Sequence, residues 1–445
     1  MRIAMISDTH FGDPMSVMAF KNPQTQQIGL GSKYEEFRNA IHTAFNGKPL
    51  DYLVLIGDIL DFSIAHYTVA YEIGKIFFQQ LIKDKLLKKI GNKYGQIIYI
   101  PGNHDFDLWH TIEYQVNIIN RIQHKKPAHP LKMSVPVIID NRDTSPLHGL
   151  TLHNVSASQE KNVPKYGGLF LDNITEPNIV FNFGYPNLYI ISNDETVIIT
   201  HGQYLDFYWS FLGTWGLKIL NDDLNIKNQS LLNLVETVGI NLPTSQLGCS
   251  SVGQAGPLTD VILNLQHDLA EHNTTRIDNY LTRLRKEIQK SCKWFIRGII
   301  NIKCKLLQNY ILKLWKHSES TRYRKKFLTD PRIKERFIRF YKSTIYEIAE
   351  LKNNYGIDIP VPAKFIFGHT HQPIPWDDPL VLEIPHSEDS PAHSISIYNT
   401  GGWLNKMNKN KMVQFCGAEI FFFDSDTGFS SVSIGYDPRD RVKPS

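Results

Sequence analysis

Aspartates, histidines and one asparagine recur in five short clusters. These are Asp8-Thr9-His10, Gly57-Asp58 with Asp61 three residues on, Gly102-Asn103-His104-Asp105, His201-Gly202 and Gly368-His369-Thr370-His371. Carboxylate oxygens, imidazole nitrogens and a neutral amide oxygen suit borderline-hard divalent ions such as Mn, Fe, Zn or Co. The four cysteines (Cys249, Cys292, Cys304, Cys416) are scattered without Cys-x-x-Cys spacing. That excludes a structural zinc ribbon and reads as reduced, non-catalytic thiols. With no closed tetrahedral set, the clusters point to a catalytic metal site. Asp-x-His and His-x-His each put two ligand side chains on one side of an extended strand end. The glycines before Asp58, Asn103 and His369 let the backbone turn sharply and approach the metals closely. Asp-x-His alone is a weak signal, whereas Gly-His-x-His arises by chance about 0.04 times in a chain of this Gly and His content. Asp61 reads as a hydrogen-bond acceptor behind a ligand, or as a helix N-cap. His66, His110, His148 and His153 read as structural or exposed.

Each cluster follows a short hydrophobic run: 3–7, 52–56, 97–100, 197–200 and 364–367. Such runs are expected strands, with helices over 33–45 and 69–89 between the early ones and a further strand at 188–191. In open α/β sheets ligands bind beyond the carboxyl ends of the strands, so clusters distant in sequence converge there. The 445 residues, 42% hydrophobic and 21% charged, have ordinary globular composition and length for two to four domain-sized units. The N-terminus reads as a first strand and not as a signal peptide. From about residue 205 to 355 the pattern is helical, interrupted by a Gly/Ser loop at 248–256 that lacks a P-loop ending. Strand patterns then return at 364–367, 394–398, 419–423 and 431–434. The expected organisation is therefore an α/β core in two parts, 1–204 and 356–445, with a helical, basic insertion over 205–355 serving as a cap or lid. There is no repeat period and no low-complexity tract.

The net charge of +4 hides an asymmetry. Residues 283–340 carry 18 Lys+Arg against four acids, which leaves 30 Lys+Arg and 40 Asp+Glu elsewhere. A basic segment on an acidic body indicates an anionic partner, membrane or nucleic acid, with a solvated helical face as the alternative. Within 294–315, Arg297, Asn301, Lys305 and Gln308 fall on one narrow helical stripe. Phe295, Ile296, Ile299, Ile300, Leu306, Leu307, Tyr310 and Leu314 fill the wide opposite face. The interrupting cations argue against a transmembrane span and leave two readings, an interfacial helix or one packed among its neighbours.

The order DTH, GDILD, GNHD, THG and GHTH resembles the calcineurin-like metallophosphoesterase superfamily over 1–201 and from 364 onward, with the insertion outside the likeness. The resemblance implies a two-sheet α/β sandwich flanked by helices and a centre of two divalent metals, with Mn favoured. Asp8, His10 and His371 would hold the first ion, Asn103, His201 and His369 the second, and Asp58 would bridge them. His104 matches the catalytic histidine, with Asp105 placed to orient it. The implied activity is hydrolysis of a phosphate ester or pyrophosphate, as phosphatase or phosphodiesterase, by in-line attack of a metal-bridging hydroxide. In motif style, DTHFGD, GDILDF, THGQYLD and FGHTHQP are most similar to the branch of UDP-2,3-diacylglucosamine pyrophosphatases, which commonly has Arg at the position of His104. The expected substrate is anionic and lipid-linked. The expected location is cytoplasmic, with peripheral membrane or lipid contact through 283–340. The alternative is a nuclease or nucleic-acid phosphodiesterase, with Trp294, Phe295, Tyr310, Trp315 and Tyr323 as stacking groups on a basic track. A non-catalytic scaffold on the same fold is the remote alternative. The sequence carries no reading of oligomeric state.

Overall fold

The structure is a computed structural model. It describes residues 1–91, 93–148, 153–156, 179–206, 208–210, 212–214, 233–250, 261, 264–265, 268, 273–291, 297–317, 330–385, 393–407 and 413–437. The loop expected at 248–256 beyond Ser250 lies outside these residues, as do Cys292, Trp294, Phe295, Ile296 and Tyr323.

The first part of the chain forms β1 (Arg2–Ile6), β2 (Ala19–Lys21), β3 (Ile28–Leu30), α1 (Tyr34–Ala44), β4 (Tyr52–Ile56), α2 (Tyr67–Lys83), β5 (Lys89–Ile90), β6 (Lys93–Ile100) and α3 (Phe106–Tyr114). Next come β7 (Val137–Asp140), β8 (Leu147–His148), β9 (His153–Ser156), β10 (Ile179–Phe183), β11 (Asn187–Ser192) and β12 (Glu195–Thr200). The last part adds β13 (Lys364–Phe367), β14 (Leu380–Ile384), β15 (His393–Asn399), β16 (Asn405–Met407), β17 (Val413–Phe415), β18 (Ala418–Asp424) and β19 (Gly428–Ile434). Helix α2 stops short of the expected residue 89, because Lys85 takes a left-handed turn (φ 56°) that leads into β5.

Two large sheets result. One has the order β19-β18-β1-β4-β6-β10-β9 with β5 beside β6, and the other β14-β15-β13-β12-β11-β7-β8. In the first, β1, β4, β6 and β10 are parallel, joined by crossovers that include α1 and α2. In the second, β12, β13 and β15 are parallel. The two sheets meet face to face. Ile3, Met5, Val54, Ile56, Ile98 and Ile100 of one pack with Val137, Ile139, Leu188, Ile190, Val197, Ile199 and Ile366 of the other. The intervening residues, such as Ala4, Ile6, Leu53 and Leu55, face a second core built with Phe37, Ile41, Phe77 and Phe78 of α1 and α2. Burial on both faces explains why β4 reads as an unbroken apolar run, YLVLI, instead of an alternating one.

The described elements between β12 and β13 are helical: Leu234–Cys249, Thr275–Ser291, Arg297–His317 and Pro331–Tyr355, after a short 3-10 turn Gln203–Leu205. The last of these helices covers the outer face of the second sheet through Phe337, Phe340, Tyr341, Ile348 and Leu351. Among the described residues, no helix is long and apolar enough to cross a membrane.

Candidate metal centre

The carboxyl ends of β1, β4 and β6 in one sheet and of β12 and β13 in the other converge, and all five clusters meet there. Asp8, His10, Asp58, Asn103, His104, His201, His369 and His371 are all essentially buried. The sequence reading assumed that paired ligands stand on one side of an extended strand. The backbone does otherwise: Asp8 (φ 54°), His10 (φ 47°), Asp58 (φ 51°), His369 (φ 65°) and His371 (φ 54°) all adopt the left-handed conformation. Such positions cost roughly 1–3 kcal/mol each for non-glycine residues and persist where the surroundings enforce them, typically at functional sites. Close approach also accounts for one glycine. A Cβ on Gly102 would lie 2.4 Å from Asp58 Oδ1 and 2.7 Å from Asp58 N, so the β4 and β6 loops touch only because that side chain is missing.

Hydrogen bonds around the imidazoles determine where their lone pairs point. His201 Nδ1 donates to the Ile56 carbonyl (2.8 Å). In the neutral ring, Nε2 therefore carries a lone pair, and it faces two acceptors, Asp58 Oδ2 at 3.1 Å and Asn103 Oδ1 at 3.1 Å. His10 Nδ1 donates to Asp61 Oδ2 (2.7 Å), so His10 Nε2 faces inward. It lies 3.2 Å from His371 Nε2, 3.7 Å from Asp8 Oδ1 and 3.9 Å from Asp58 Oδ2. His371 Nε2 is 3.1 Å from Asp8 Oδ1. Asp58 Oδ2 and His369 Nδ1 are buried without a hydrogen-bond partner. Donor atoms facing one another at about 3 Å are spaced as ligands of one ion with bonds near 2.1 Å. The residues present thus fit the metals that the donor types suggested. Among the described residues, three groups have the spacing to hold a cation: Asp8, His10 and His371; Asp58, His201 and His369; and His10, Asp61 and His104. Asn103 joins the second through His201.

The electrostatics agree. Burial opposes a charged His10, yet hydrogen bonds to Asp61 and Asp8 raise its pKa to about 10. Burial likewise opposes charge on His201, and Asp58 and Asp8 raise it to about 9. Burial would push Asp58 up, but His201 and His104 hold it well below the usual carboxylate range. The carboxylates demand positive charge at this point, from protons or from cations.

Asp61 is the acceptor behind two rings. Oδ2 takes His10 Nδ1, and Oδ1 takes His104 Nδ1 at 2.9 Å as well as the Ser63 hydroxyl at 2.5 Å. Its alternative reading as a helix N-cap is not what forms, since His66 occupies that position of α2. The expected role of Asp105 also changes. Its carboxylate accepts from the backbone N–H groups of Gly102 (2.6 Å), Ile59 (2.9 Å), Asp58 (3.3 Å) and Leu60 (3.4 Å) and from the Tyr99 hydroxyl (2.5 Å). Consecutive side chains diverge at this turn, so Asp105 shapes the loop that carries Asp58, and Asp61 with Ser63 holds the His104 ring. Two residues escaped the sequence reading. Asp206 Oδ2 lies 3.4 Å from His369 Nε2, and the Trp209 indole lies against His104 and His369, with ring centroids 5.7 and 6.4 Å apart. The THGQYLD string contained Asp206, five residues after His201 in a turn that brings it back. Nothing in the local sequence marked Trp209.

A two-sheet sandwich presenting buried carboxylates and imidazoles at strand ends fits the metal-dependent class of hydrolases. The model of the calcineurin-like phosphoesterase family matches residues 1–223, half of the chain, and the protein belongs to that family. Among curated proteins none matches the chain.

Proposed function

We propose that the protein hydrolyses phosphate esters or pyrophosphates at a centre of two divalent ions, one held by Asp8, His10 and His371, the other by Asn103, His201 and His369, with Asp58 serving both. The observation that carries this reading is the convergence of buried donor groups, Asp8 with His10 and His371 and Asp58 with His201 and His369, whose facing atoms are spaced to hold cations. Ions bound there supply positive charge for the phosphoryl oxygens and acidify water towards neutrality, and Mn, Fe, Zn and Co all suit the donors, Mn being our choice. His104 is the general acid. Its Nδ1 is engaged by Asp61 and Ser63, and its Nε2 faces the centre, 4.0 Å from Asp58 Oδ2, where it delivers a proton to the leaving oxygen. Asp61 fixes the ring and balances its charge when protonated. The anionic, lipid-linked character inferred for the substrate is supported by the basic helices that lie between His201 and His369 in the chain.

The test is turnover of bis-p-nitrophenyl phosphate and p-nitrophenyl phosphate with and without Mn²⁺, with metal content measured in parallel. We expect metal-dependent hydrolysis, a loss of about 10²- to 10⁴-fold in His104→Ala with metals retained, and empty sites in Asp58→Asn. Protein that takes up no metal would overturn the reading. Full turnover of His104→Ala on a poor leaving group would remove His104 from its role.

A further inference from the structure

The helices Thr275–Ser291 and Arg297–His317 pack as a hairpin that buries polar groups at its contact and leaves one apolar side in solvent. Gln308, on the polar stripe of its helix, is buried against the partner helix: its amide donates to Asp278 Oδ1 (2.7 Å) and Thr282 Oγ1 (3.0 Å) and accepts from Arg285 (3.1 Å). The opposite side carries Ile299, Ile302, Leu306 and Tyr310, spaced three to four residues apart on one helical face. Ile299, Ile302 and Leu306 are each more than 60% exposed. On the partner helix Ile277 and Leu281 are buried, while Leu284 and Ile288, which continue their stripe, emerge into solvent. The two helices hold ten Lys+Arg against two acids, Asp278 and Glu287. Lys286, Lys290 and Arg297 line a cleft of about 670 Å³ between them with Gln289, Gly298 and Asn301.

We propose that this hairpin docks on the surface of an anionic lipid bilayer, with Ile299, Ile302 and Leu306 entering the acyl boundary and the surrounding lysines and arginines meeting lipid phosphates. The argument is one of complementarity. Exposed aliphatic side chains within a cationic surround match an interface that is apolar inside and negatively charged at its rim. Nucleic acid would satisfy the charge but not Ile and Leu, which offer bases no stacking face. A second copy of the chain would cover the aliphatics but would oppose ten cations to ten more. No described helix is apolar enough to span, so the contact is a surface one. The hairpin is also joined to the candidate centre: Ile277, Leu281 and Ile311 share a buried cluster with Trp209, the residue lying on His104 and His369. Docking does not depend on the catalytic reading, since it is measured without turnover.

The experiment is co-sedimentation of the full chain with vesicles of phosphatidylcholine, with and without phosphatidylglycerol, at low and physiological salt. Gel filtration of the lipid-free protein and competition by single-stranded DNA complete it. We expect binding to the anionic vesicles, reduced at least about fivefold for each lysine reversed in Lys303→Glu and Lys305→Glu. The pair Ile302→Asp and Leu306→Asp should reduce binding at least about tenfold with an unchanged circular dichroism spectrum, because both positions are exposed; Ile302→Asn with Leu306→Gln, which adds no negative charge, should also weaken it. Binding unaffected by either apolar pair, or abolished by competing DNA, would overturn the proposal in favour of a nucleic-acid surface. A dimer broken by the apolar variants, with no vesicle binding, would overturn it in favour of self-association.

Discussion

His10 and His104 share one carboxylate, Asp61, whose two oxygens accept a ring N–H from each, at 2.7 and 2.9 Å. The residue proposed to hold a metal and the residue proposed to protonate the leaving group are thereby oriented by one side chain. Asp61→Asn replaces one acceptor oxygen with a donor, so one imidazole loses its partner or changes tautomer. Supporting carboxylates of this kind typically contribute 10- to 100-fold to metal affinity. We expect Asp61→Asn to bind metal about that much more weakly and to lose about 10²-fold or more in kcat even at saturating metal. His104→Ala should show only the second effect. Titration of both variants with Mn²⁺, with activity followed at each concentration, separates the two. Wild-type metal affinity in Asp61→Asn would remove the coupling.

At the scale of the elements, the strand ends were the legible part of this chain. Runs such as 52–56 and 364–367 are observed as written, because a strand buried on both faces is apolar along its buried length, Lys364 at the half-buried start of β13 being the polar exception. The clusters behind them converge because parallel strands bring their carboxyl ends together. The left-handed backbone at five of these residues was not legible, since the interlocking loops that enforce it belong to distant segments. The outward apolar side of Arg297–His317 was not legible either. A helical wheel separates two faces but cannot say which one the neighbour will cover, and here Asp278 and Thr282 recruit Gln308 inward. Helix Pro331–Tyr355 gives a prediction of its own. It places Glu347 in the core of the second sheet, where it accepts from Tyr189 (2.5 Å), Asn187 (3.3 Å) and Ser134. Burial raises the pKa of Glu347 above its ordinary 4.5, against the pull of those hydrogen bonds. A raised folded pKa means that the folded state holds the proton longer than the unfolded chain, so stability is lost as pH rises from 4.5 through the folded value. Relative to Glu347→Gln, the wild type should lose melting temperature over that interval and then keep a constant difference. Other titrations are common to both proteins and cancel. A difference that does not change over that interval would show that the fold does not raise the Glu347 pKa.

For the whole molecule, the decisive fact is that neither sheet closes without the end of the chain. In the first sheet, β1 pairs on one side with β4 and on the other with β18. In the second, β12 pairs with β11 and with β13. His369 and His371 arrive with β13, more than 160 residues after His201. The stretch matched by the family model, 1–223, therefore contains five of the seven proposed ligands but only part of the fold. Expressed alone, residues 1–223 would expose β1 and β12 as unpaired edges and uncover Ile3 and Met5, which pack with Phe421 and Phe423 of β18. Long apolar edges of this kind associate with one another. We expect this fragment to be insoluble or to aggregate on purification, and co-expression with 356–445 and its preceding helix from 330 to recover soluble protein that binds metal. A soluble, monomeric 1–223 that unfolds cooperatively would mean that the first half is a self-sufficient domain and that the later strands only decorate it. Failure to fold would mean that the metal centre depends on both ends of the chain meeting: the ligand pair on the β13 loop can reach Asp8 only when β13 has docked beside β12 and the two sheets have closed on Ile3, Ile56, Ile199 and Ile366.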